Sequence, residues 1–397
     1  MLTARKKEGT LQTSFAACTR RLSSFVFLIV LHLHFGSASR VTTSRLFSMA
    51  KDSLAEVTKT GSFQRTESTF RNVVENVEGA RYPVEAERYH LIVSKACPWA
   101  NRCMAMRALK GLENVIGLST VHPTWGKTKP DLSVEEDAHH GWIFNSGGVP
   151  SPNGSGHFKL DDCDDAPTIF KGSVSTVRDI YEQVHSEATK FTVPILYDKK
   201  NQEIVSNESS EILRMLNSEF DSLATGDHKE LDLYPGALRV EIDEVNHWIY
   251  HDINNGVYKS GFAKTQEAYE EAVKTLFASL DRVEAILSSK RFLCGSPSQF
   301  TEADLRLFMT LCRFDEVYVV YFKCNIRSIR DYPNIRQYCR DVYQIYGGKI
   351  GKTVDMAHIK THYFTSHPTL NTYAVIPVGP GAELDFSLPP EGRTALN

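Results

Sequence analysis

The architecture follows from residues 89–112, which read YHLIVSKACPWANRCMAMRALKGL. The short apolar run Tyr89–Ser94 is typical of a buried strand. From Ala100 to Leu112 apolar residues recur with helical spacing and basic residues take the other face, so this stretch predicts a helix. A strand that passes directly into a helix indicates an α/β layer arrangement.

Cys97 and Pro98 lie at the turn between this strand and this helix. If Pro98 is the first helical residue, Cys97 occupies the N-cap, where amide N–H groups and the helix dipole favour an anion. The pKa of a thiol in such a place can fall from about 8.5 to roughly 3.5–7.5. Ala100 stands where a dithiol centre has its second cysteine, so a disulfide formed by Cys97 needs a thiol from outside the chain. The dipeptide alone also fits a structural cysteine.

Two later segments offer groups that a short peptide can use. Thr192-Val193-Pro194 begins a predicted hairpin, and a cis proline there leaves the Val193 backbone free at a sheet edge beside the cysteine, where an extended tripeptide can add as a strand. Glu208 and Ser209 then open a helix and offer a carboxylate and a hydroxyl to an ammonium and a carboxylate of the same ligand. Each segment alone also fits a strand break or a helix cap.

The chain divides by pattern into an α/β half and a helical half. Strand and helix signals alternate over residues 81–222, interrupted by an insert at 122–190 that has Gly and Asp clusters and little periodicity. Inserts of that length are often functional or mobile. Residues 235–350 predict helices. We expect residues 51–80 to form an extended N-terminal segment and residues 351–397 to form an extended tail.

The first 50 residues differ in charge from the rest of the chain. They hold seven Lys or Arg and one acid, a net +6, whereas the remaining residues carry 38 basic and 47 acidic groups, a net −9. Their order of basic region, short apolar run and small residues resembles a signal, and a Ser-, Thr- and Arg-rich stretch without acids follows, as in transit peptides. We expect import into a plastid, with the mitochondrion or the cytoplasm as alternatives.

Charge and hydropathy also exclude two kinds of partner. The net charge of −3 gives nucleic acid no electrostatic footprint. The apolar run near the N-terminus is too short to span a bilayer, so we expect no membrane span in the mature chain.

Together, these segments resemble the glutathionyl-hydroquinone reductases, which are Xi-class glutathione transferases close to the Omega class. The resemblance covers about residues 60–385, and the interval between Cys97 and Trp142 is longer than is usual for the family. It implies a thioredoxin-like α/β N-terminal domain and an all-α C-terminal glutathione-transferase domain. Its motifs are Cys97-Pro98-Trp99-Ala100, Gly141-Trp142, Thr192-Val193-Pro194, Val205–Ser209, Asn254–Lys259, Thr301–Leu307, Arg313–Tyr318 and His358–Tyr363.

The resemblance also implies a mechanism and a site. Cys97 is the implied nucleophile, which attacks the sulfur of a glutathionyl-hydroquinone and forms a mixed disulfide with glutathione; a second glutathione then releases oxidised glutathione. Tyr258 is the implied proton donor and acceptor, while Tyr318 and Tyr363 help to hold the thiolate. The implied glutathione contacts are Trp142, Lys190, Phe191, Thr192, Val193, Glu208 and Ser209.

On this interpretation glutathione is a co-substrate, and we expect no other cofactor. We also expect no metal, because the eight cysteines include no CxxC pair. The resemblance implies a homodimer formed through the helical domain. Two alternatives stay open: an Omega-like thioltransferase or dehydroascorbate reductase, which uses the same monothiol centre, and a non-catalytic ligand binder with the transferase fold.

Overall fold

The structure is a computed structural model, and it describes residues 56–58, 60–186, 190–226 and 228–396. The predicted targeting segment, residues 1–50, lies outside the described residues. Within them, the longer strands belong to the first half of the chain and most helices to the second. Among the described helices, none combines the length and the apolar character needed to cross a bilayer.

The described strands pair into one central sheet and several two-stranded ladders. The central sheet has the order β2-β1-β7-β8, in which β1 runs parallel to β2 and antiparallel to β7. β1 is buried along its whole length, which explains why its sequence is a continuous apolar run rather than an alternating one. In chain order the strands are β1 (Tyr89–Val93), β2 (Gly117–Thr120), β3 (Gly126–Lys127), β4 (His140–Gly141), β5 (Val149–Pro150), β6 (His157–Phe158), β7 (Ile195–Asp198), β8 (Glu203–Ser206), β9 (Cys294–Gly295) and β10 (Ser298–Gln299).

Helices build most of the second half of the chain. Two π-helical turns, Ile249–Asn254 and Phe314–Tyr318, interrupt the helical half. In chain order the helices are α1 (Pro98–Leu109), α2 (Val177–Val184), α3 (Ser209–Ser218), α4 (Arg239–Trp248), α5 (Gly256–Phe262), α6 (Gln266–Leu287), α7 (Glu302–Arg313), α8 (Val319–Tyr321), α9 (Pro333–Gln344), α10 (Met356–Thr365) and α11 (Ala382–Phe386).

The insert predicted at residues 122–190 contains more regular structure than its sequence indicates. It includes the ladders β3–β4 and β5–β6, and it ends in α2. Thr176 caps α2 through a reciprocal pair of hydrogen bonds with Asp179, which stabilises so short a helix. The hydroxyl of Tyr181 in α2 donates to the Thr192 carbonyl over 3.0 Å, so the end of the insert is part of the sheet domain.

The C-terminal segment corrects the prediction of an extended tail over residues 351–397. It contains α10 and α11. The Asp355 side chain caps α10 by accepting from the His358 amide over 2.9 Å. α10 is buried almost all round, so its sequence has no polar stripe from which a helical period can be read. This correction matters for the site because α10 carries Tyr363.

The N-terminal segment (residues 60–80, with 56–58 before it) lies along the free edge of β8. The Asn207 amide donates to the Phe70 carbonyl and the Asn72 amide donates to the Val205 carbonyl, each over 3.0 Å. These bonds extend the sheet by a short irregular strand. The segment therefore forms one wall of the space above β8 and α1.

Candidate active site

Cys97 is the N-cap residue of α1, and Pro98 is the first helical residue, as the sequence predicts. Its side chain is partly exposed, and its Sγ lies 3.5 Å from the Val193 carbonyl oxygen. The loop before it is fixed from the helical half, since the Arg313 guanidinium donates to the carbonyls of Lys95 and Ala96 over 2.8 and 3.0 Å. The thiol is thus held between the two halves of the protein.

The pKa of Cys97 differs from the sequence-based expectation. Burial raises the pKa of its thiol, although the amides of Ala100 and Trp99 and the charges of Arg65 and Arg313 act in the opposite direction. The helix N-terminus lowers the pKa of the thiol, but desolvation of Cys97 by the surrounding protein raises it by more. The neighbouring Cys103 is fully buried, and burial raises its pKa to about 12. Of the two thiols, Cys97 is the one that is partly exposed and lies at the start of the helix.

The second predicted segment lies beside the thiol. The Val193–Pro194 peptide is cis. The Tyr181 hydroxyl donates to the Thr192 carbonyl, which fixes the backbone one residue before Val193. The Val193 carbonyl faces Cys97. Val193 is the residue at which we expect the backbone of a tripeptide to add as a strand.

Glu208 and Ser209 open α3 as predicted. The Glu208 carboxylate accepts hydrogen bonds from the Ser210 amide and from Ser68 Oγ, each over 3.0 Å. Burial alone would raise the pKa of Glu208, but the Ser210 amide and the Arg102 guanidinium outweigh it, so the pKa is lowered and the group is ionised. Arg102 also donates to Ser209 Oγ over 2.6 Å, which leaves the hydroxyl hydrogen of Ser209 free to donate to a ligand.

A cavity of about 540 Å³ lies between the Val193 segment and the start of α3, and Cys97 itself is not among the residues that line it. The N-terminal segment, the start of α1, the loop before β7, the start of α3 and one face of α4 surround it. Five of the predicted glutathione contacts line it: Lys190, Thr192, Val193, Glu208 and Ser209.

Two predicted contacts lie elsewhere. Trp142 stacks on His362, with ring centroids 4.5 Å apart, and packs edge-on against Trp125. Phe191 packs against His139 and Tyr181. Neither side chain lines the cavity. Trp142 instead adjoins the tyrosine cluster through His362, the neighbour of Tyr363.

The structure brings the three predicted tyrosines together. The Tyr363 hydroxyl lies 2.7 Å from the Tyr258 hydroxyl and 3.2 Å from the Tyr318 hydroxyl, so Tyr363 is the central member. Burial raises the pKa of all three phenols, which keeps them protonated. Tyr258 is the most exposed of them at 8%, and its ring stacks on Trp99, two residues after Cys97.

The tyrosine cluster depends on the two π-helical turns. One turn directly precedes α5, which carries Tyr258, and the other contains Tyr318. An extra residue in a helical turn shifts the side chains after it around the axis, and such turns are frequent at functional sites. No local periodicity marks them, so the sequence could not place these rings relative to each other.

Sequence reasoning also missed two arginines. Arg102 lies in α1, two residues after the cysteine motif, and donates to Ser209 Oγ. Arg65 belongs to the N-terminal segment, which has neither helical nor strand periodicity, so nothing in the sequence connects it with Cys97. In the structure its guanidinium lies over the Trp99 ring, 4.8 Å from the centroid.

Known families match both halves of the chain. The glutathione S-transferase N-terminal domain matches residues 96–219, and the glutathione S-transferase C-terminal domain matches residues 266–341. These matches confirm the predicted fold class, a thioredoxin-like domain followed by an all-α domain.

Individual relatives give a closer assignment. The glutathionyl-hydroquinone reductase YqjG of Escherichia coli is 45% identical over 340 residues, which are 84% of this chain and 92% of the relative. The glutathione S-transferase omega-like 2 of Schizosaccharomyces pombe is 40% identical over 83% of this chain and 96% of its own. The crystal structure of the glutathione S-transferase Xi from Phanerochaete chrysosporium is 44% identical, with a TM-score of 0.71, and covers 82% of this chain and 99% of its own.

Relatives of this kind, matched over nearly their whole length, exclude the alternative of a non-catalytic ligand binder. The chain is an enzyme of the glutathione transferase superfamily and belongs to the Xi class, the family of the glutathionyl-hydroquinone reductases.

Proposed function

We propose that this enzyme uses glutathione to reduce glutathionyl-hydroquinones to hydroquinones, with Cys97 as the nucleophile. The observation that carries the proposal is the position of Cys97. Its partly exposed thiol lies against the Val193 carbonyl, and Trp99, two residues after it, stacks on Tyr258 of a buried phenol cluster. A thiol for the exchange at sulfur and a phenol that can protonate the ring carbon thus lie close together at the boundary between the two domains.

Glutathione takes its orientation from the groups around the cavity. Its cysteine backbone pairs with Val193 in the manner of an added strand. The ionised Glu208 carboxylate receives the γ-glutamyl ammonium, while the Ser209 hydroxyl and the start of α3 receive the neighbouring carboxylate. This orientation directs the glutathione sulfur toward Cys97.

The first step exchanges one bond to sulfur for another. The Cys97 thiolate forms an S–S bond to the glutathione sulfur, and the bond between that sulfur and the ring carbon breaks. The electron pair of the broken bond stays with the ring, and the carbon receives a proton. A second glutathione thiolate then displaces Cys97, which gives oxidised glutathione and restores the enzyme.

Tyr258 is the proton donor of this step. It is the most exposed of the three phenols and the one that stacks on Trp99. Burial keeps it protonated, as a general acid must be. Tyr363 bonds to both other hydroxyls, so it can pass a proton back to Tyr258 after each turnover.

A glutathione-dependent assay tests the proposed function. Glutathionyl-menadiol and glutathione are supplied, and the release of menadiol and the formation of oxidised glutathione are measured together. We expect both products in equal amounts. Failure of the purified enzyme to release menadiol while it reduces another substrate contradicts the proposal.

An Omega-like thioltransferase or dehydroascorbate reductase is the second candidate. The monothiol centre supports this candidate, because such a centre also exchanges simple disulfides. The relative from Schizosaccharomyces pombe, a glutathione S-transferase omega-like 2, also supports it. Dehydroascorbate in the same assay distinguishes the two. Turnover of dehydroascorbate alone selects this candidate, whereas preference for the conjugate selects the reductase.

We infer that the enzyme is a homodimer formed through its helical half. The family resemblance supports this inference, and the helical half carries exposed apolar side chains, among them Val240, Val320 and Ile326. Sedimentation equilibrium should give twice the mass of the chain. A monomer at micromolar concentration contradicts the inference.

We further propose that residues 1–50 direct import into a plastid. Their basic charge and signal-like order support this proposal. A fluorescent protein fused to these residues should enter the organelle, whereas uniform cytosolic fluorescence contradicts import. Concentration in mitochondria selects the alternative organelle.

A further inference from the structure

A buried ion pair joins the two elements that carry Tyr318 and Tyr363. The ammonium of Lys360, in α10, lies 2.9 Å from Oε2 of Glu316, in the π-helical turn Phe314–Tyr318. Only 11% of the Lys360 side chain and 1% of the Glu316 side chain are exposed. Desolvation of the two charges offsets most of their attraction, so such a pair adds little net stability over apolar side chains. What the pair adds is a fixed geometry between α10 and the turn.

The C-terminal segment completes the bonding of this ion pair. An ammonium group has three N–H donors, and that of Lys360 also donates to the carbonyls of Val378 and Gly379, over 3.0 and 3.2 Å. The Ala382 amide donates to the other carboxylate oxygen of Glu316 over 2.6 Å. Each of these bonds has a preferred direction, so together they favour one position of α10 against the turn. Apolar contacts, which have no direction, would not fix that position.

The ion pair lies close to two of the phenols in the chain. Tyr363 follows Lys360 by three residues and lies on the same side of α10, while Tyr318 follows Glu316 by two residues in the same turn. The hydroxyl oxygens of Tyr318 and Tyr363 are 3.2 Å apart, which is long for a hydrogen bond between hydroxyls. A shift of α10 by about 0.5 Å away from the turn would break this bond.

Neighbouring side chains hold the same two elements to other parts of the protein. Asp315, in the turn, accepts from the Ile329 amide over 2.6 Å, and His362, in α10, has its Nδ1 2.9 Å from the Pro123 carbonyl oxygen. These contacts attach the turn to the segment before α9, and α10 to the segment before β3. The ion pair, in contrast, links α10 and the turn directly.

We propose that Glu316 and Lys360 are positioning residues, which hold Tyr363 between Tyr318 and Tyr258 so that Tyr258 regains its proton after each turnover. The proposal rests on the proposed function, because protonation of the ring carbon is the step that uses the phenols as an acid. Exchange at sulfur needs no proton on carbon. Loss of the ion pair should therefore lower the turnover of a conjugate and spare the turnover of a disulfide.

The variant Glu316→Gln/Lys360→Met tests this selectivity, since it removes both charges and keeps a side-chain oxygen for the Ala382 amide. With glutathionyl-menadiol we expect kcat to fall about tenfold at unchanged KM, which is less than the roughly hundredfold loss that a 1 Å misplacement can cause. With hydroxyethyl disulfide, kcat should stay close to that of the unmodified enzyme. Lys360→Arg should retain most of the conjugate turnover, because it keeps the charge and the donors.

Glu316→Gln alone is the milder variant, because the replacement is nearly isosteric and leaves Lys360 with its two carbonyl partners. It should change the two rates in the same direction as the double variant, by a smaller factor. If the double variant does not fold, Glu316→Gln decides between the outcomes.

Arg291→Met/Asp341→Asn is the matched control. It removes another ion pair of the helical half, in which only 5% of the Asp341 side chain is exposed and the two bonds measure 2.8 and 2.9 Å. The control should leave the ratio of the conjugate rate to the disulfide rate unchanged, even where it lowers stability to urea.

A double-mutant cycle shows whether the ion pair acts through Tyr363. In an enzyme that already carries Tyr363→Phe, loss of the ion pair should cause little further loss of conjugate turnover, because the side chain that it positions has no hydroxyl. A purely structural role predicts that the two losses add.

Three results overturn the proposal. Equal losses with the conjugate and the disulfide show that the ion pair supports the fold or the thiolate rather than proton supply. A loss that adds to that of Tyr363→Phe shows that the ion pair acts by another route. Unchanged conjugate turnover in the variant shows that the phenols keep their positions without the ion pair.

The positions of the phenols can also be measured without any reaction. In enzyme with carbon-13-labelled tyrosine, the Cζ resonances of Tyr318 and Tyr363, assigned with their Phe variants, report the hydrogen bond between the two hydroxyls. Both resonances should shift in Glu316→Gln/Lys360→Met and stay in place in the control. If these shifts occur but the unmodified enzyme releases no menadiol, the proposed function fails and the positioning role stands. If menadiol is released but the resonances do not shift, the positioning role alone is overturned.

Discussion

The proposed nucleophile, Cys97, and the three phenols occupy opposite halves of the molecule, and burial raises the pKa of all four groups. Cys97 lies at the start of a helix in the sheet domain, partly exposed, where amides and two arginines counteract the cost of charge. The phenols Tyr258, Tyr318 and Tyr363 lie in the helical domain, where burial raises their pKa by more than the nearby arginines lower it. Burial therefore opposes the role proposed for Cys97, which needs an ionised thiol, and favours the role proposed for Tyr258, which needs a protonated phenol. At the boundary between the domains, a thiol that must ionise and phenols that must stay protonated can lie close together.

The largest loss of activity is expected from a change in the sheet domain, at Cys97. Cys97→Ser should abolish menadiol release, because a hydroxyl at this position does not form the mixed disulfide. Cys103→Ser is the matched control: Cys103 is six residues further along the chain in α1, but it is buried and its pKa is raised to about 12, so most activity should persist. Equal losses in the two variants would show that the helix, rather than the thiol at its start, is required.

On the helical side, Tyr258→Phe should lower turnover of the conjugate by about 10²–10⁴, the usual range for a positioned acid. The loss should be much smaller for a disulfide substrate, since sulfur exchange needs no proton on carbon. Tyr321→Phe is the control, because its buried hydroxyl bonds to His367 rather than to the cluster. Equal losses with conjugate and disulfide substrates would remove Tyr258 from the proton-transfer step.

Tyr363→Phe should have a smaller effect than Tyr258→Phe but a larger one than Tyr318→Phe. Tyr363 bonds to both other hydroxyls, whereas Tyr318 bonds to one, so its removal leaves two buried hydroxyls without this partner. We expect roughly a tenfold loss of turnover and about 1–2 kcal/mol less stability for Tyr363→Phe, measured by steady-state kinetics and urea unfolding. A larger kinetic loss for Tyr318→Phe would place the centre of the cluster elsewhere.

The pH dependence distinguishes the thiolate role of these two tyrosines from a role in proton supply. If Tyr318 and Tyr363 help to hold the thiolate, their replacement by Phe raises the pKa of Cys97. The loss should then shrink as pH rises, because the thiolate forms regardless. If they only return protons to Tyr258, the relative loss stays constant with pH. Rates of iodoacetamide labelling of Cys97 in each variant, measured between pH 6 and pH 10, provide the direct comparison.

The smallest effect is expected from removal of residues 1–49. A chain that begins at Ala50 retains the N-terminal segment that lies along β8, and its activity and solubility should equal those of the full chain. A chain that begins at Asn76 should lose both, since Phe70 and Asn72 bond to the sheet edge and Ser68 bonds to Glu208. A large loss on the shorter truncation would show that the first 49 residues are structural.

The parts of the site that sequence could predict are those set by local chemistry. Cys97 before Pro98 and Glu208 at the start of α3 each follow from a few adjacent residues, whereas the sequence raised the cis form of Pro194 only as a condition. For the same reason the capped start of α7 at Thr301 matches its sequence.

The remainder depends on contacts between segments far apart in the chain. Arg65 and Glu56 lie in a stretch without periodicity and become site residues only through Trp99, Asn255 and Lys190. α10 was predicted as extended chain because its burial on all sides removes the amphipathic pattern. The reversed direction of the Cys97 pKa shift has the same origin, since desolvation comes from residues that the local motif does not contain.

The central claim is that Cys97 takes glutathione from the conjugate as a mixed disulfide. Enzyme mixed with glutathionyl-menadiol, without free glutathione, and quenched in acid should gain the mass of one glutathionyl group. Peptide mapping by mass spectrometry should locate it on the Cys97 peptide, and added glutathione should remove it. An adduct on Cys103 or another cysteine, or menadiol release with no adduct on the enzyme, would contradict the account.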